Sequence, residues 1–417
     1  MAITSINTTI VSKLPARAWL VVGLLCVVGC LNYLDRMMIT TMRTSLTEAI
    51  PMTDAQFGLL TSVFLWTYGV LSPFAGYLAD RFNRSRVIIV SLFVWSAVTW
   101  LTAHATTFNE LLITRALMGI SEACYIPAAL ALIADYHRGS TRSLATGVHM
   151  GGIMIGQSLG FMGGWIAERH GWSGAFSVFG MVGIVYAVVL ALLLRDAPKE
   201  ENELSVTATA EKPISFFDGI RQLFGEKSYW VVLAYWGLVG VVSWLILVWL
   251  PSYYKEHFHL SQSVAGFYAT GYFHMASLAG VLIGGYWADR WSRTNPRARI
   301  LVPAIGLCIG VPCIFIASGT DILALAIGCF MVYALTRTFT DANMMPILCM
   351  ISDARYRATG YGILNLFGCL IGGLGIYAGG ALRDTHVDMG LIFRCAALTM
   401  IICAVLLFIL KPKYRDS

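Results

Sequence analysis

The chain has 417 residues, of which 57% are hydrophobic and 12% are charged, about half the charged fraction of an ordinary soluble domain. The formal net charge is +6, but the basic residues lie in short loops between apolar segments, which argues against nucleic acid as a partner. The composition predicts an all-α polytopic membrane protein surrounded by the lipid bilayer, with its first apolar segment retained as a span.

Apolar segments recur along the whole chain, and about 20 apolar residues are enough to cross a bilayer. The sequence predicts twelve spans, at residues 18–46, 55–79, 87–105, 108–136, 144–168 and 173–194, and then at 228–254, 263–289, 299–318, 320–352, 358–382 and 388–410. We therefore expect two six-helix bundles, residues 18–194 and 228–410. A cytoplasmic N-terminal segment (1–17), a polar cytoplasmic linker (195–227) and a cytoplasmic tail (411–417) complete the predicted organisation.

The distribution of basic residues predicts the orientation of the chain. Most of the 29 lysines and arginines fall on the side of the membrane where both termini lie, and such residues concentrate on the cytoplasmic side. We therefore expect both termini in the cytoplasm and the protein in the cell membrane, which is the inner membrane in a Gram-negative cell. All ten cysteines lie inside predicted spans, where small apolar residues serve helix packing.

The two halves of the chain repeat one another. The stretch GYLADRFNR at 76–84 returns as GYWADRWSR at 285–293, and DYHRGSTRSLATG at 135–147 returns in part as DARYRATG at 353–360. Both copies of the first stretch follow the second span of their half. A duplicated six-span unit predicts two bundles around one central cavity.

The loop motif G-x-L-A-D-R-x-x-R between the second and third spans resembles the major facilitator superfamily, and the resemblance extends over residues 15–412. It implies a major facilitator fold of twelve helices in two pseudo-symmetric bundles, alternating access to a central cavity, and a monomer. It also implies that the two copies of the motif latch the cytoplasmic side. The residues expected to form this gate are Gly76, Asp80, Arg81, Arg84, Asp289, Arg290 and Arg293.

Six charged residues lie inside predicted spans and sum to zero: Asp35, Arg36, Arg115, Glu122, Arg337 and Asp341. Each costs about 2.5–3.5 kcal/mol at the bilayer centre on insertion scales. One interpretation is a set of neutralising pairs that join helices. The other, which we favour, is that acids carry protons while arginines bind an anion in one wet central cavity. Adjacent side chains on a helix point about 100° apart, so Asp35 and Arg36 need different partners.

The patterns N-Y-x-D-R in the first span and R-x6-E in the fourth resemble the anion:cation symporter branch, which includes sugar-acid carriers. That resemblance implies Asp35 and Glu122 as proton carriers, with Arg36 and Arg115 as contacts of a substrate carboxylate. We predict proton-coupled import of a small organic anion, a sugar acid such as a hexuronate, an aldonate or a sialic acid. Further candidate binding residues are Arg337, Asp341, Asn32, Tyr68, Tyr125, His149, Gln157, His274 and Asn365, each of which is also a candidate packing residue.

Two alternatives stay open. The same N-Y-x-D-R and R-x6-E-A patterns, with GLLTSVF, LADRFNR and RARILVPAIGLCIGVP, resemble Spinster-like transporters, which implies transport of a lipid, another amphiphile or a drug. A membrane receptor is the third hypothesis, and the complete repeat argues against it. No Walker loop, metal-ligand spacing or nucleophile–base pair is evident. We therefore expect neither an enzyme nor a cofactor or metal, and a transporter that uses an ion gradient.

Overall fold

The computed structural model describes residues 16–137, 141–197, 216–353 and 356–411, and every regular element in these ranges is helical. Two predicted gate residues, Gly76 and Asp80, are described only as part of a helical backbone. Most of the predicted N-terminal segment, most of the predicted linker and most of the predicted tail lie outside the described residues.

The helices of the first half are α1 (Ala16–Thr41), α2 (Arg43–Ala49), α3 (Asp54–Arg81), α4 (Arg84–Thr102), α5 (Phe108–Glu122), α6 (Tyr125–Tyr136), α7 (Arg142–Ser158), α8 (Phe161–His170) and α9 (Trp172–Leu193). Those that follow are α10 (Phe216–Gly225), α11 (Lys227–His257), α12 (Gln262–Gly266), a π-helical turn (Phe267–Tyr272), α13 (Phe273–Ser292), α14 (Ala298–Ala317), α15 (Leu323–Arg337), α16 (Phe339–Ile351), α17 (Arg357–Asp384) and α18 (Met389–Ile409).

Ten helical stretches of the described chain are long and apolar enough to cross a membrane. They correspond to ten of the twelve predicted spans. The other two predicted spans, 144–168 and 263–289, are interrupted helices. The first divides into α7 and α8 at Leu159–Gly160, and the second contains the π-helical turn between α12 and α13.

The predicted fourth and tenth spans are each broken beside a charged residue. Helix α5 ends at Glu122 and α6 begins at Tyr125. Pro127 explains this break, because a proline ring clashes with the carbonyl four residues earlier, here that of Ala123. Helix α15 ends at Arg337, where the Thr338 hydroxyl lies 2.9 Å from the carbonyl oxygen of Leu335 and competes for the helical hydrogen bonds.

The two halves meet along α3 and α17, which pack against each other at close range. Ser62 Oγ donates a hydrogen bond to the Gly373 carbonyl at 2.7 Å, and Trp66 Nε1 donates to the Leu370 carbonyl at 3.0 Å. These bonds cross from one half to the other within the helical layer. They hold the first half against the second on one side of the space between them.

One end of the bundle, which we call the distal end, carries the loops at 42–54, 255–262 and 383–388; the opposite, proximal end is where α1 begins. Four side chains join the halves there: Arg43, Asp54, Glu256 and Arg383, named below the distal charge network. Arg43 pairs with Asp54 and lies 3.1 Å from Glu256 Oε1. Arg383 lies 2.8 Å from Asp54 Oδ2 and 2.9 Å from Glu256 Oε1.

Trp249 lies beneath this network. The guanidinium carbons of Arg43 and Arg383 are 5.7 Å and 5.3 Å from the centre of its ring. Asp384 adds a further link between the halves, because its carboxylate accepts the backbone N–H groups of Asp54 at 2.8 Å and Ala55 at 3.0 Å. The distal end is therefore closed by charge pairs, cation–π contacts and a cap on the first turn of α3.

The first half itself depends on close helix packing between α1 and α7. A Cβ atom built on Gly156 would lie 2.1 Å from the Cys30 carbonyl oxygen, whereas one built on Gly151 of the same helix would meet nothing within 4 Å. Small residues at such positions let transmembrane helices approach closely.

We predict that Gly156→Ala destabilises the protein by about 1–3 kcal/mol, the usual cost of overpacking, because the Cys30 backbone must move. Gly151→Ala is the matched control, which we expect to be neutral or slightly stabilising because alanine favours helix. Thermal unfolding in detergent measures both. Equal melting temperatures for the two variants would contradict the close contact.

Candidate functional site

The first half contains a buried cluster of four charged side chains. Asp35 and Arg36 come from α1, and Arg115 and Glu122 come from α5. Each is at most 5% exposed, and their formal charges cancel. Arg36 Nε donates to Glu122 Oε2 at 2.7 Å, a charge-assisted hydrogen bond between the first and fourth predicted spans.

Asp35 has a different environment from its neighbour Arg36. Its Oδ2 accepts a hydrogen bond from Thr99 Oγ1 of α4 at 3.3 Å. Arg36 turns toward aromatic rings, with its guanidinium carbon 4.5 Å from the centre of the Tyr33 ring and 4.3 Å from that of Tyr68. The two adjacent charges therefore find separate partners, as their 100° separation on the helix requires.

Arg115 lacks a carboxylate partner at ion-pair distance among the described residues. Its guanidinium carbon lies 4.8 Å from the centre of the Phe64 ring, and Nη1 lies 3.3 Å from Met118 Sδ. Within the described ranges, Arg115 Nε and Glu122 Oε1 are buried with no hydrogen-bond partner. Buried polar groups without a partner are costly. The Arg115 Nε–H is a donor only, whereas Glu122 Oε1 is an acceptor that can also take up a proton.

A cavity of about 260 Å³ lies between the two halves. Of the described residues of the first half, Tyr33, Met154 and Gln157 contribute to its wall. The second half contributes apolar and aromatic side chains, and a smaller polar group. The apolar side chains include Trp236, Val239, Trp244, Leu247, Phe273 and Tyr333, and the polar group is Ser243, His274, Ser277, Arg337, Thr338, Asp341 and Asn365.

Arg337 is the charged centre of this cavity. Its Nη1 donates to Asp341 Oδ2 at 2.6 Å, one turn along the chain, and its Nε donates to Ser243 Oγ of α11 at 2.8 Å. His274 lines the same cavity and is 4% exposed. Its Nε2 has no hydrogen-bond partner in the described part of the chain. The cavity wall therefore contains the Arg337 guanidinium, the Ser243 hydroxyl and an imidazole nitrogen of His274 that has no described hydrogen-bond partner.

The structure divides the predicted site residues into two groups instead of one. Those that line the cavity are Gln157, His274, Arg337, Asp341 and Asn365. Those buried in the first half, outside the cavity wall, are Asn32, Asp35, Arg36, Tyr68, Arg115, Glu122, Tyr125 and His149. Tyr125 donates to the Leu25 carbonyl at 2.8 Å, and its ring packs edge-on to that of His149 at 5.9 Å.

The predicted gate residues lie at the proximal end. Arg84 pairs with Asp135 within the first half, and Asp289 pairs with Arg299 at 3.0 Å within the second. The repeated motif thus makes ion pairs inside each bundle.

Sequence reasoning missed several residues that the structure places at these sites. Tyr33 lies inside the N-Y-x-D-R pattern and links the charged cluster to the cavity wall, and the pattern itself could have drawn attention to it. The aromatic residues Trp236 and Trp244 looked like ordinary span residues. No sequence pattern indicated the distal charge network, because its members are far apart in the chain: Arg43 and Glu256 are separated by 213 residues.

Comparison with known proteins identifies the family. A model of the Major Facilitator Superfamily matches residues 25–376. Spinster homolog 1 of Homo sapiens is 29% identical over 319 residues, 73% of this chain and 60% of that protein. The Bos taurus homolog is 30% identical over 314 residues, 72% of this chain and 60% of that protein. The chain therefore spans about three fifths of the length of these relatives.

Solved structures show the same fold. A bacterial homologue of the human lysosomal transporter Spinster, inward-facing and unoccupied, superposes with a TM-score of 0.76 at 23% identity over 95% of each chain. Its inward-facing and occupied form gives a TM-score of 0.75 at 22% identity, over 95% of this chain and 96% of that one.

These findings confirm the predicted all-helical, multi-pass membrane fold and favour the Spinster-like alternative over the sugar-acid branch. Proteins of this kind are alternating-access transporters and not enzymes. The chain belongs to the Major Facilitator Superfamily.

Proposed function

We propose that this protein is a proton-coupled transporter of an amphiphile with one anionic group. The observation that carries the proposal is the composition of the central cavity, where one arginine lies among tryptophan, phenylalanine, tyrosine and aliphatic side chains. The likeness to Spinster homologues supports the same substrate class. Import of a sugar acid, the first expectation from the sequence, has less support on both counts.

The cavity suits an amphiphile better than a sugar acid for a physical reason. A sugar acid presents several hydroxyl groups, each of which loses hydrogen bonds to water unless the site replaces them. Much of this wall is apolar and cannot do so. An amphiphile instead buries its apolar chain against such a wall, with a gain of roughly 0.8 kcal/mol for each CH₂ group relative to exposure of that group to water.

Arg337 is the proposed contact of the anionic group. Asp341 and Ser243 hold its guanidinium in place, and His274 Nε2 adds a further polar atom to the same wall. A phosphate or carboxylate would displace Asp341 from Arg337 or share the arginine with it. The anion and the Asp341 carboxylate therefore compete for the Arg337 guanidinium.

We predict that Arg337→Gln weakens binding of lysophosphatidylglycerol about tenfold or more, the worth of a hydrogen bond to a charged group. Asp341→Asn removes the competing carboxylate while keeping its shape, so we expect affinity to be unchanged or increased. Isothermal titration in detergent micelles measures both. Wild-type affinity in Arg337→Gln would contradict the assignment.

The charged cluster of the first half is the proposed proton-coupling site, with Asp35 and Glu122 as proton carriers. Burial and a nearby arginine act in opposite senses on the protonation of a carboxylate, so movement of Arg36 would change the proton occupancy of Glu122. Tyr33 connects the cluster to the substrate, because its side chain both lines the cavity and lies 4.5 Å from the Arg36 guanidinium. A ligand that displaces Tyr33 would therefore disturb the Arg36–Glu122 pair.

We predict that Asp35→Asn and Glu122→Gln, which cannot ionise, abolish pH-driven accumulation of a fluorescent anionic lysophospholipid in proteoliposomes. Exchange of the lysophospholipid across the membrane without a pH gradient should persist, because these substitutions leave the central cavity intact. Glu48→Gln, at an exposed carboxylate on the distal end, is the control and should behave as wild type. Unchanged accumulation in both cluster variants, with folding checked by size exclusion, would refute the coupling role.

Alternating access requires the distal charge network to open. With both termini in the cytoplasm, as the basic residues predict, the distal end would face outside, and the distal charge network would close the outer side of the cavity. Arg43 and Arg383 are each paired with both Asp54 and Glu256. The network would thus hold the outer gate shut until substrate or a proton favours the other state.

We predict that Arg43→Gln with Arg383→Gln raises the ratio of distally open to closed molecules about tenfold, which corresponds to about 1.4 kcal/mol. Double electron–electron resonance spectroscopy with spin labels at positions 48 and 385 measures the distance across this end. Arg169→Gln is the matched control, because Arg169 lies at the same end and bonds only to its own helix at Trp165 in the described structure. An unchanged distance distribution would show that the network is not a gate.

A further inference from the structure

A second concave site lies at the proximal end of α13, away from the central cavity. It has a volume of about 500 Å³ and is lined by Trp287, Arg290, Trp291, Arg293 and Thr294. None of these residues lines the central cavity. We call it the tryptophan–arginine pocket.

The two tryptophans of this pocket form a fixed platform. Their rings are nearly parallel, with an interplanar angle of 11° and centroids 6.1 Å apart. The ring of Trp287 also packs edge-on against Phe339 of α16, with centroids 6.0 Å apart. The platform is therefore held by a neighbouring helix as well as by its own.

The pocket carries two positive charges that no described carboxylate neutralises. Arg290 and Arg293 are exposed, and neither is within ion-pair distance of a carboxylate in the described chain. The adjacent Asp289 is already paired with Arg299 at 3.0 Å. In the first half, Arg84 occupies the motif position of Arg293 and is paired with Asp135. At this position, the arginine is therefore paired in the first copy of the motif and unpaired in the described part of the second.

An exposed apolar surface extends from the pocket along α13 toward the middle of the bundle. Leu282 is 66% exposed, Ile283 is 47% exposed and Tyr286 is 71% exposed. Contact between this apolar surface and water would be unfavourable, whereas contact with lipid acyl chains would not be. The pocket therefore lies where an acyl-chain surface ends and a charged rim begins.

The sequence repeat shows that the tryptophans are particular to this site. In the first copy of the motif, Leu78 and Phe82 stand where Trp287 and Trp291 stand in the second. Tryptophan is enriched at the membrane–water interface, where its ring meets lipid headgroups. Arginine binds phosphate with a planar, multidentate hydrogen-bonding group.

We propose that the tryptophan–arginine pocket binds the headgroup phosphate of an anionic phospholipid from the leaflet at the proximal end. Arg290 and Arg293 contact the phosphate, Trp287 and Trp291 pack against the glycerol region, and the acyl chains lie along Leu282 and Ile283. This lipid is a bound component of the membrane and not the transported substrate, so the site goes beyond the proposed transport function.

The test titrates purified full-length protein in detergent with dioleoylphosphatidylglycerol and follows the melting temperature. An Arg337→Gln background removes any contribution from the central cavity. We expect phosphatidylglycerol to stabilise the protein at lower concentrations than phosphatidylcholine. Arg290→Gln with Arg293→Gln should weaken this effect more than tenfold, since each basic residue near an anionic surface is worth about a fivefold change in affinity.

Two further variants keep the test decisive. Arg86→Gln removes an exposed arginine at the same end of the first half and should leave the phosphatidylglycerol effect intact. Trp287→Leu with Trp291→Phe restores the residues of the first copy and should also weaken it. Wild-type phosphatidylglycerol affinity in the double arginine variant would overturn the proposal. Equal stabilisation by inorganic phosphate at the same concentration would also overturn it, since the ligand would then be a free anion.

Discussion

The structure depends on one electrostatic constraint: a charge buried at membrane depth is costly unless a partner neutralises it. Arg36 and Glu122 meet this constraint with a 2.7 Å contact between side chains that are 4% and 0% exposed. Removing one partner of such a pair leaves a buried charge without compensation, which typically costs about 3–5 kcal/mol. The pair therefore fixes α1 against α5 while leaving Asp35 and Arg115 with weaker contacts.

The two copies of the six-span repeat hold their charged residues in different surroundings. In the first half the charges are sealed among helices, and in the second the Arg337–Asp341 pair faces an open cavity. Both charged spans are broken beside a charged residue, just after Glu122 and just after Arg337. Tyr33 is the described contact that joins the two sites, since its ring touches Arg36 and lines the cavity. In the proposed mechanism, this separation would let substrate and proton influence each other without sharing a ligand.

Much of the fold was predictable from the sequence because a membrane span is a local property. Apolar length identifies ten of the twelve predicted spans as helical stretches of the described chain that are long enough to cross a membrane, and the repeat predicted two similar halves. The six intramembrane charges were also evident, because each interrupts an apolar run. The interruptions of the fourth, fifth, eighth and tenth spans were not predicted, because a break within an apolar run leaves the length of the run unchanged.

The grouping of the site residues was less predictable, because it depends on contacts between distant segments. Arg36 and Glu122 are 86 residues apart, and Arg383 and Asp54 are 329 apart. Helical spacing shows which charges share a face of one helix, as for Arg337 and Asp341, but not which face turns toward the cavity. We therefore expected one shared central cavity, whereas the structure places the charged residues in two separate groups.

Infrared difference spectroscopy on reconstituted protein tests the central claim, that a ligand in the second-half cavity changes the protonation of a carboxyl group in the first half. The account predicts that adding an anionic lysophospholipid alters the carboxylic-acid C=O band. The change should vanish in Glu122→Gln, shrink in Tyr33→Leu and survive in Tyr33→Phe. A ligand-induced band that is identical in wild type and Glu122→Gln, or no band change on binding, would contradict it.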